Sequence, residues 1–176
     1  MNRPLFAQLL GEDFERLPPA LRALHSVARR QLFAGQGQVR RGGHPLVAPC
    51  AWLARLPPTA AELPVQVEFL VDAGGEQWRR RFGGHPMVSR LWLHRGLLRE
   101  RLGALRFEFA LRVQGDEIHW RARRAWLFGL LPLPPRWFAQ VRCREREHAG
   151  RYEYLVDVSL PLIGPFIRYE GWLEPR

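Results

Sequence analysis

The chain has 176 residues, 47% of them hydrophobic and 25% charged. That is enough for one domain with its own core, too little for two ordinary ones, and too apolar for a disordered chain. The formal charge of +10 points by itself to nucleic acid, but there is no lysine, every one of the 27 cationic side chains is arginine, and Asn2 is the only asparagine. Such a bias reads as codon pressure toward arginine, so nucleic acid is not the expected partner.

Cys50 and Cys143 lie far apart without a C-x-x-C neighbour, which is neither a zinc pattern nor a disulfide framework. The six histidines, His25, His44, His85, His94, His119 and His148, are scattered, and no H-x-x-x-H pair supports a metal. A G-x-S-x-G elbow is absent, and Ser26, Ser89 and Ser159 have no context that would activate a nucleophile. No cofactor or metal is expected. The opening "MNRPLFAQLLGEDFERLP" meets acidic residues too soon for a secretory leader. No stretch approaches the roughly 18 apolar residues of a membrane span. The expected location is the cytoplasm.

Residues 1–34 read as a helical N-terminal segment and residues 35–176 as an antiparallel β-meander, together a single domain, 1–176. Phe6, Leu9 and Leu10 share one helical face. A second helix over "PPALRALHSVARRQLF" opens with Pro19 in its first turn and carries Leu21, Leu24, Ala28 and Leu32 at spacings of three to four. After the glycine-rich "AGQGQVRRGGHP" the period changes to two, with turn signals every 8–12 residues. The expected strands are 64–72, 76–83, 87–95, 104–113, 117–126, 138–148, 151–159 and 166–173. Residues 95–103 read as a short helix or wide turn, and "GLLPLPPRW" as a proline-rich connection. The fold class is mainly β (α+β). About eight antiparallel strands with one apolar face would expose two long edges if flat; curling into a barrel or half-barrel hides them, with the N-terminal helices plugging or flanking the opening.

Register then sorts the charges. A turn at Ala73-Gly74 or Gly74-Gly75 places Trp78, Arg80 and Phe82 on the face of Val65, Val67, Phe69 and Val71, and leaves Arg79 and Arg81 outside near Glu68. A turn at Gly115-Asp116 joins Phe107, Phe109, Leu111 and Val113 to Ile118, Trp120, Ala122, Arg124 and Trp126, and pairs Glu108 with Arg123 on the other face. A turn at Ala149-Gly150 pairs Glu145 with Tyr154 and Glu147 with Tyr152 on the apolar side, and Arg146 with Glu153 outside. Arg80, Arg124, Glu145 and Glu147 are thus expected to point inward beside Trp78, Trp120, Tyr152 and Tyr154. Buried charges need partners or water, so these residues describe either an internal ion-pair network or a pocket with apolar walls and a few polar groups. His25 reads as a core-edge histidine.

Several segments resemble a bacterial family known as domain of unknown function 4166. They are "LPPALRALHS", "AGQGQVRRG", "WRRRFGG", "LGALRFEF", Leu131-Pro132 and "IRYEGWL". His25, Gly35, Val39, Arg41-Gly42, Trp78, Arg80, Phe82, Tyr169 and Gly171-Trp172-Leu173 fall on the family's pattern. The resemblance implies a domain found alone or attached to a nucleotide-binding oxidoreductase-like domain. No G-x-G-x-x-G opening is present here, so such a partner would be a separate protein. The family brings no established chemistry.

The functional expectation is a module that binds a small lipophilic or amphiphilic anionic molecule in the barrel. Arg80 and Arg124 would meet the head group, and Trp78, Phe82, Trp120, Glu145, Glu147, Tyr152, Tyr154, His25 and Tyr169 complete the candidate lining. The alternatives are an accessory domain that docks on an oxidoreductase, and an enzyme using His25, Glu145 or Glu147 as a proton carrier in the same cavity.

Overall fold

Eleven strands form one antiparallel sheet that closes on itself. They are β1 (Arg30–Arg41), β2 (Ala60–Asp72), β3 (Gly75–Phe82), β4 (His85–His94), β5 (Leu97–Leu102), β6 (Leu105–Gln114), β7 (Glu117–Leu127), β8 (Leu131–Pro132), β9 (Val141–His148), β10 (Arg151–Leu160) and β11 (Gly164–Pro175). The structure is a computed structural model that describes residues 3–176. Strands β1 to β7 pair in sequence, β7 pairs with β9, β9 with β10, β10 with β11, and β11 returns to β1. The result is a closed ten-stranded barrel, with β8 added outside the ring on β7.

The expected barrel is present, with more strands than the period suggested. β1 begins at Arg30, so residues 30–34 leave the expected helical segment; Met1 and Asn2 of that segment lie outside the described residues. Helix α1 (Leu5–Leu10) and helix α2 (Pro19–His25) are joined by a 3-10 turn over Gly11–Arg16. Residues 97–102 are β5 rather than a helix or wide turn. A third helix, α3 (Val47–Leu53), occupies the connection between β1 and β2.

Alternation dictates the interior. Val65, Val67 and Phe69 of β2 are buried, and their partners Phe82, Arg80 and Trp78 point the same way. Phe109, Ile118, Trp120, Tyr152 and Leu173 add the other walls. At one end α1 and α2 fill the mouth. Phe6 has no exposed surface and stacks on His25 at 3.6 Å between ring centroids. Burying one such phenyl group contributes about 2–3 kcal/mol. At the opposite end α3 lies across the rim, with Val47, Ala51, Ala54 and Leu56 buried. The Leu53 carbonyl there accepts from the N–H of Ala104 in the β5–β6 turn.

Candidate ligand site in the barrel

The first hairpin keeps the expected register. Val67 lies opposite Arg80, Phe69 opposite Trp78 and Glu68 opposite Arg79. The triple arginine is therefore split by the pleat: Arg79 is exposed and 3.4 Å from Glu68, whereas the Arg80 side chain is 13% exposed. Its Nη1 donates to Ser89 Oγ at 3.0 Å, its Nη2 lies 3.4 Å from Glu100 Oε1, and its guanidinium sits 4.8 Å from the Trp78 ring centroid. Ser89 and Glu100 were not among the residues expected here. Both are buried, and the need of an inward arginine for a counter-charge was the signal for Glu100.

The β9–β10 hairpin also keeps its register, with Glu145 opposite Tyr154 and Glu147 opposite Tyr152. The two carboxylates serve the plug rather than each other. His25 Nε2 and Glu145 Oε2 are 2.7 Å apart and both side chains are buried. Glu147 Oε2 accepts from the Ala20 N–H at 2.7 Å, in the first turn of α2. That turn has backbone N–H groups with no partner inside the helix.

The β6–β7 hairpin departs from expectation. Val113, Leu111 and Phe109 lie opposite Ile118, Trp120 and Ala122, but a β-bulge then intervenes, and Glu108 faces Arg124 rather than Arg123. One extra residue reverses the faces beyond it. Arg124 therefore points outward with its side chain 71% exposed, 4.0 Å from Glu108. The expectation that it lines the interior is overturned, and Arg80 is left as the inward arginine of that pair.

Between the walls and the plug lies a cavity of about 80 Å³. Of the expected lining, Trp78, Arg80, Phe82, Trp120, Glu145, Tyr152, Tyr154 and Tyr169 border it, joined by Glu100 and Cys143. His25, Glu147 and Arg124 do not. The glycines of β1 and β11 make room on one side: a Cβ at Gly37 would stand 2.8 Å, and one at Gly171 2.7 Å, from the Tyr154 hydroxyl.

Burial holds four of the lining's ionisable groups in their neutral forms. Burial pushes the Cys143 thiol and the Tyr152, Tyr154 and Tyr169 phenols upward, each away from its charged form. Glu76, a further buried carboxyl, is raised by burial and partly restrained by the Trp78 Nε1–H that donates to it at 2.8 Å. Two donors at the cavity, Trp120 Nε1 and the Tyr154 hydroxyl, are buried without a protein partner. Buried polar groups are ordinarily paired; Arg22 Nε, His25 Nδ1 and Arg106 Nε are also unpaired, on residues that do not border the cavity. Among the described residues no cluster of three His, Cys, Asp or Glu side chains is placed to hold a metal ion. No helix there is long and apolar enough to cross a membrane.

Among curated proteins none matches this chain. Of the solved structures, one described as "Crystal Structure of Rv2717c from M. tuberculosis" is similar over 91% of this chain and 99% of that chain, at 14% identity and a TM-score of 0.46. The family model that matches covers residues 17–173, nearly the whole barrel with α2, and the chain belongs to the family described as Domain of unknown function (DUF4166).

Proposed function

We propose that the protein is a binding module that holds one small, mostly apolar molecule with an anionic or hydrogen-bond-accepting group inside the barrel. The observation that carries this reading is the pair of unpaired buried donors, Trp120 Nε1 and the Tyr154 hydroxyl, on a cavity otherwise walled by valine and aromatic side chains. Arg80 borders the same cavity, where Glu100 faces it at 3.4 Å. A ligand acceptor reaching these groups would recover hydrogen bonds that the fold alone leaves unmade, while the walls take up its apolar part.

The volume restricts the guest. Sites for drug-sized ligands run from roughly 300 to 1,000 Å³, and the cavity here is about 80 Å³, space for roughly three waters. A short-chain or single-ring carboxylic acid suits it better than a long acyl chain. The enzymatic reading has less support: His25 is sealed beneath Phe6 behind the lining, and Glu145, which borders the cavity, is engaged with it.

The test is a thermal-shift and calorimetric screen with acetate, butyrate, benzoate and their amides. At least one is expected to raise the melting temperature. Tyr154→Phe removes a hydroxyl on which the fold does not depend, so it should leave stability intact and weaken the best binder about fivefold. A flat response across the panel, or unchanged affinity in Tyr154→Phe, would overturn the reading.

A further inference from the structure

The apolar surface of the molecule is gathered at one end. Every strand beginning or ending near α3 shares a rim, formed by the connections 42–59, 83–84, 103–104, 128–140 and 161–163. On this rim stand Trp52 at 79% exposure, Phe128 at 67%, Leu130 at 85%, Leu131 at 60%, Trp137 at 47% and Leu162 at 101%. Away from it, the exposed large hydrophobics Leu32, Val88 and Leu93 reach only 39–41%. Three connections carry the protruding residues, β1–β2, β7–β9 and β10–β11, and they follow one another around the barrel ring. The Ser159 N–H reaches the Gln140 carbonyl, which ties the second to the third.

Folding does not account for these side chains. Phe128 and Leu162 occupy turn positions with φ of 53° and 66°, a backbone region where glycine or asparagine is favoured and a bulky apolar residue is strained. Yet both side chains point into water. Nor is the rim balanced in charge. The five connections contain no aspartate or glutamate, whereas the segments at the plugged end hold Glu12, Asp13, Glu15 and Asp116. Arg55 and Arg136 lie within the rim connections, and Arg81, Arg101 and Arg142 on the strand ends beside them, all exposed, against Glu62 and Asp157 on the same strand ends.

We infer that this end docks on the surface of an anionic lipid bilayer, with Trp52, Phe128, Leu130, Trp137 and Leu162 entering the interface and the neighbouring arginines meeting lipid phosphates. Tryptophan, phenylalanine and leucine on separate protruding turns match the depth of the headgroup boundary, and an excess of arginine over carboxylate matches its negative potential. The inference is independent of what occupies the barrel.

The experiment is sedimentation of the full chain with phosphatidylcholine vesicles, with and without roughly one quarter phosphatidylglycerol. The chain is expected to pellet with the anionic vesicles, to stay in solution with the neutral ones, and to be released at about 0.5 M salt, where screening is nearly complete. L130S/L162S changes two side chains that touch almost nothing, so its melting temperature should match that of the parent while its partitioning falls at least about tenfold. Failure of the parent to pellet with anionic vesicles overturns the inference, as does equal partitioning of the variant. A concentration-dependent dimer that L130S/L162S abolishes, with no vesicle binding, also overturns it and assigns the rim to a second copy of the chain.

Discussion

The two ends of the barrel are closed by different physics. At the plugged end, apolar packing of Phe6, Leu21 and Leu24 is joined by buried polar contacts of defined geometry, His25 on Glu145 and Glu147 on the Ala20 N–H. At the α3 end closure depends on apolar packing of Val47, Ala51 and Leu56 and on backbone bonds such as Ala104 to Leu53. Polar contacts fix one arrangement and fail sharply when a partner is lost, because the remaining group stays buried and unpaired. Apolar packing degrades gradually, and the outermost residues of that end contribute little to stability.

Single substitutions test the contrast. His25→Ala should cost the most, about 3–5 kcal/mol in urea unfolding, because it strands Glu145 in the interior and leaves a void under Phe6; a loss below about 1 kcal/mol would show that the plug is not locked there. Glu147→Ala should cost about 1 kcal/mol by freeing the first turn of α2. Glu76 tests the same end through pH. Its carboxyl is raised above its ordinary value, chiefly by burial, with His25 and Glu145 nearby. The unfolded chain therefore loses that proton first as pH rises, and stability falls between the unfolded and the folded value. Glu76→Gln should flatten the profile above that point while keeping the acceptor for Trp78, as read by melting temperature from acid to neutral pH. Smallest of all, Trp52→Ala at the α3 end should change stability by no more than about 0.5 kcal/mol.

Much of the barrel was legible because two hairpins obey strict alternation. Val65, Val67 and Phe69 on β2, and Tyr152 and Tyr154 on β10, locate the interior without ambiguity. The failures have local causes. β1 was partly read as helix because Leu21, Leu24, Ala28 and Leu32 continue a helical spacing, and because Gly35 and Gly37 give no alternation to detect. β5 was missed because its inward residues are Leu98, Glu100 and Leu102, and a charge in the middle conceals the stripe. Arg124 was misplaced because the bulge falls at Arg123-Arg124, where slipping by one residue exchanges arginine for arginine. The division of labour between Glu145 and Glu147 depends on the distant residues His25 and Ala20, which strand period cannot reveal.

The seam of the ring joins the beginning of the chain to its end. Phe33 pairs with Pro175, Gly35 with Leu173 and Val39 with Tyr169. β1 leaves the ribosome well before β11, so the circle cannot be completed until β11 has been made. Until then α1 and α2 have no finished mouth to enter, and two unpaired strand edges wait in solvent. Closure is thereby deferred until β11 is available, and deletion of residues 167–176 should yield an open, aggregation-prone sheet in place of a shortened barrel.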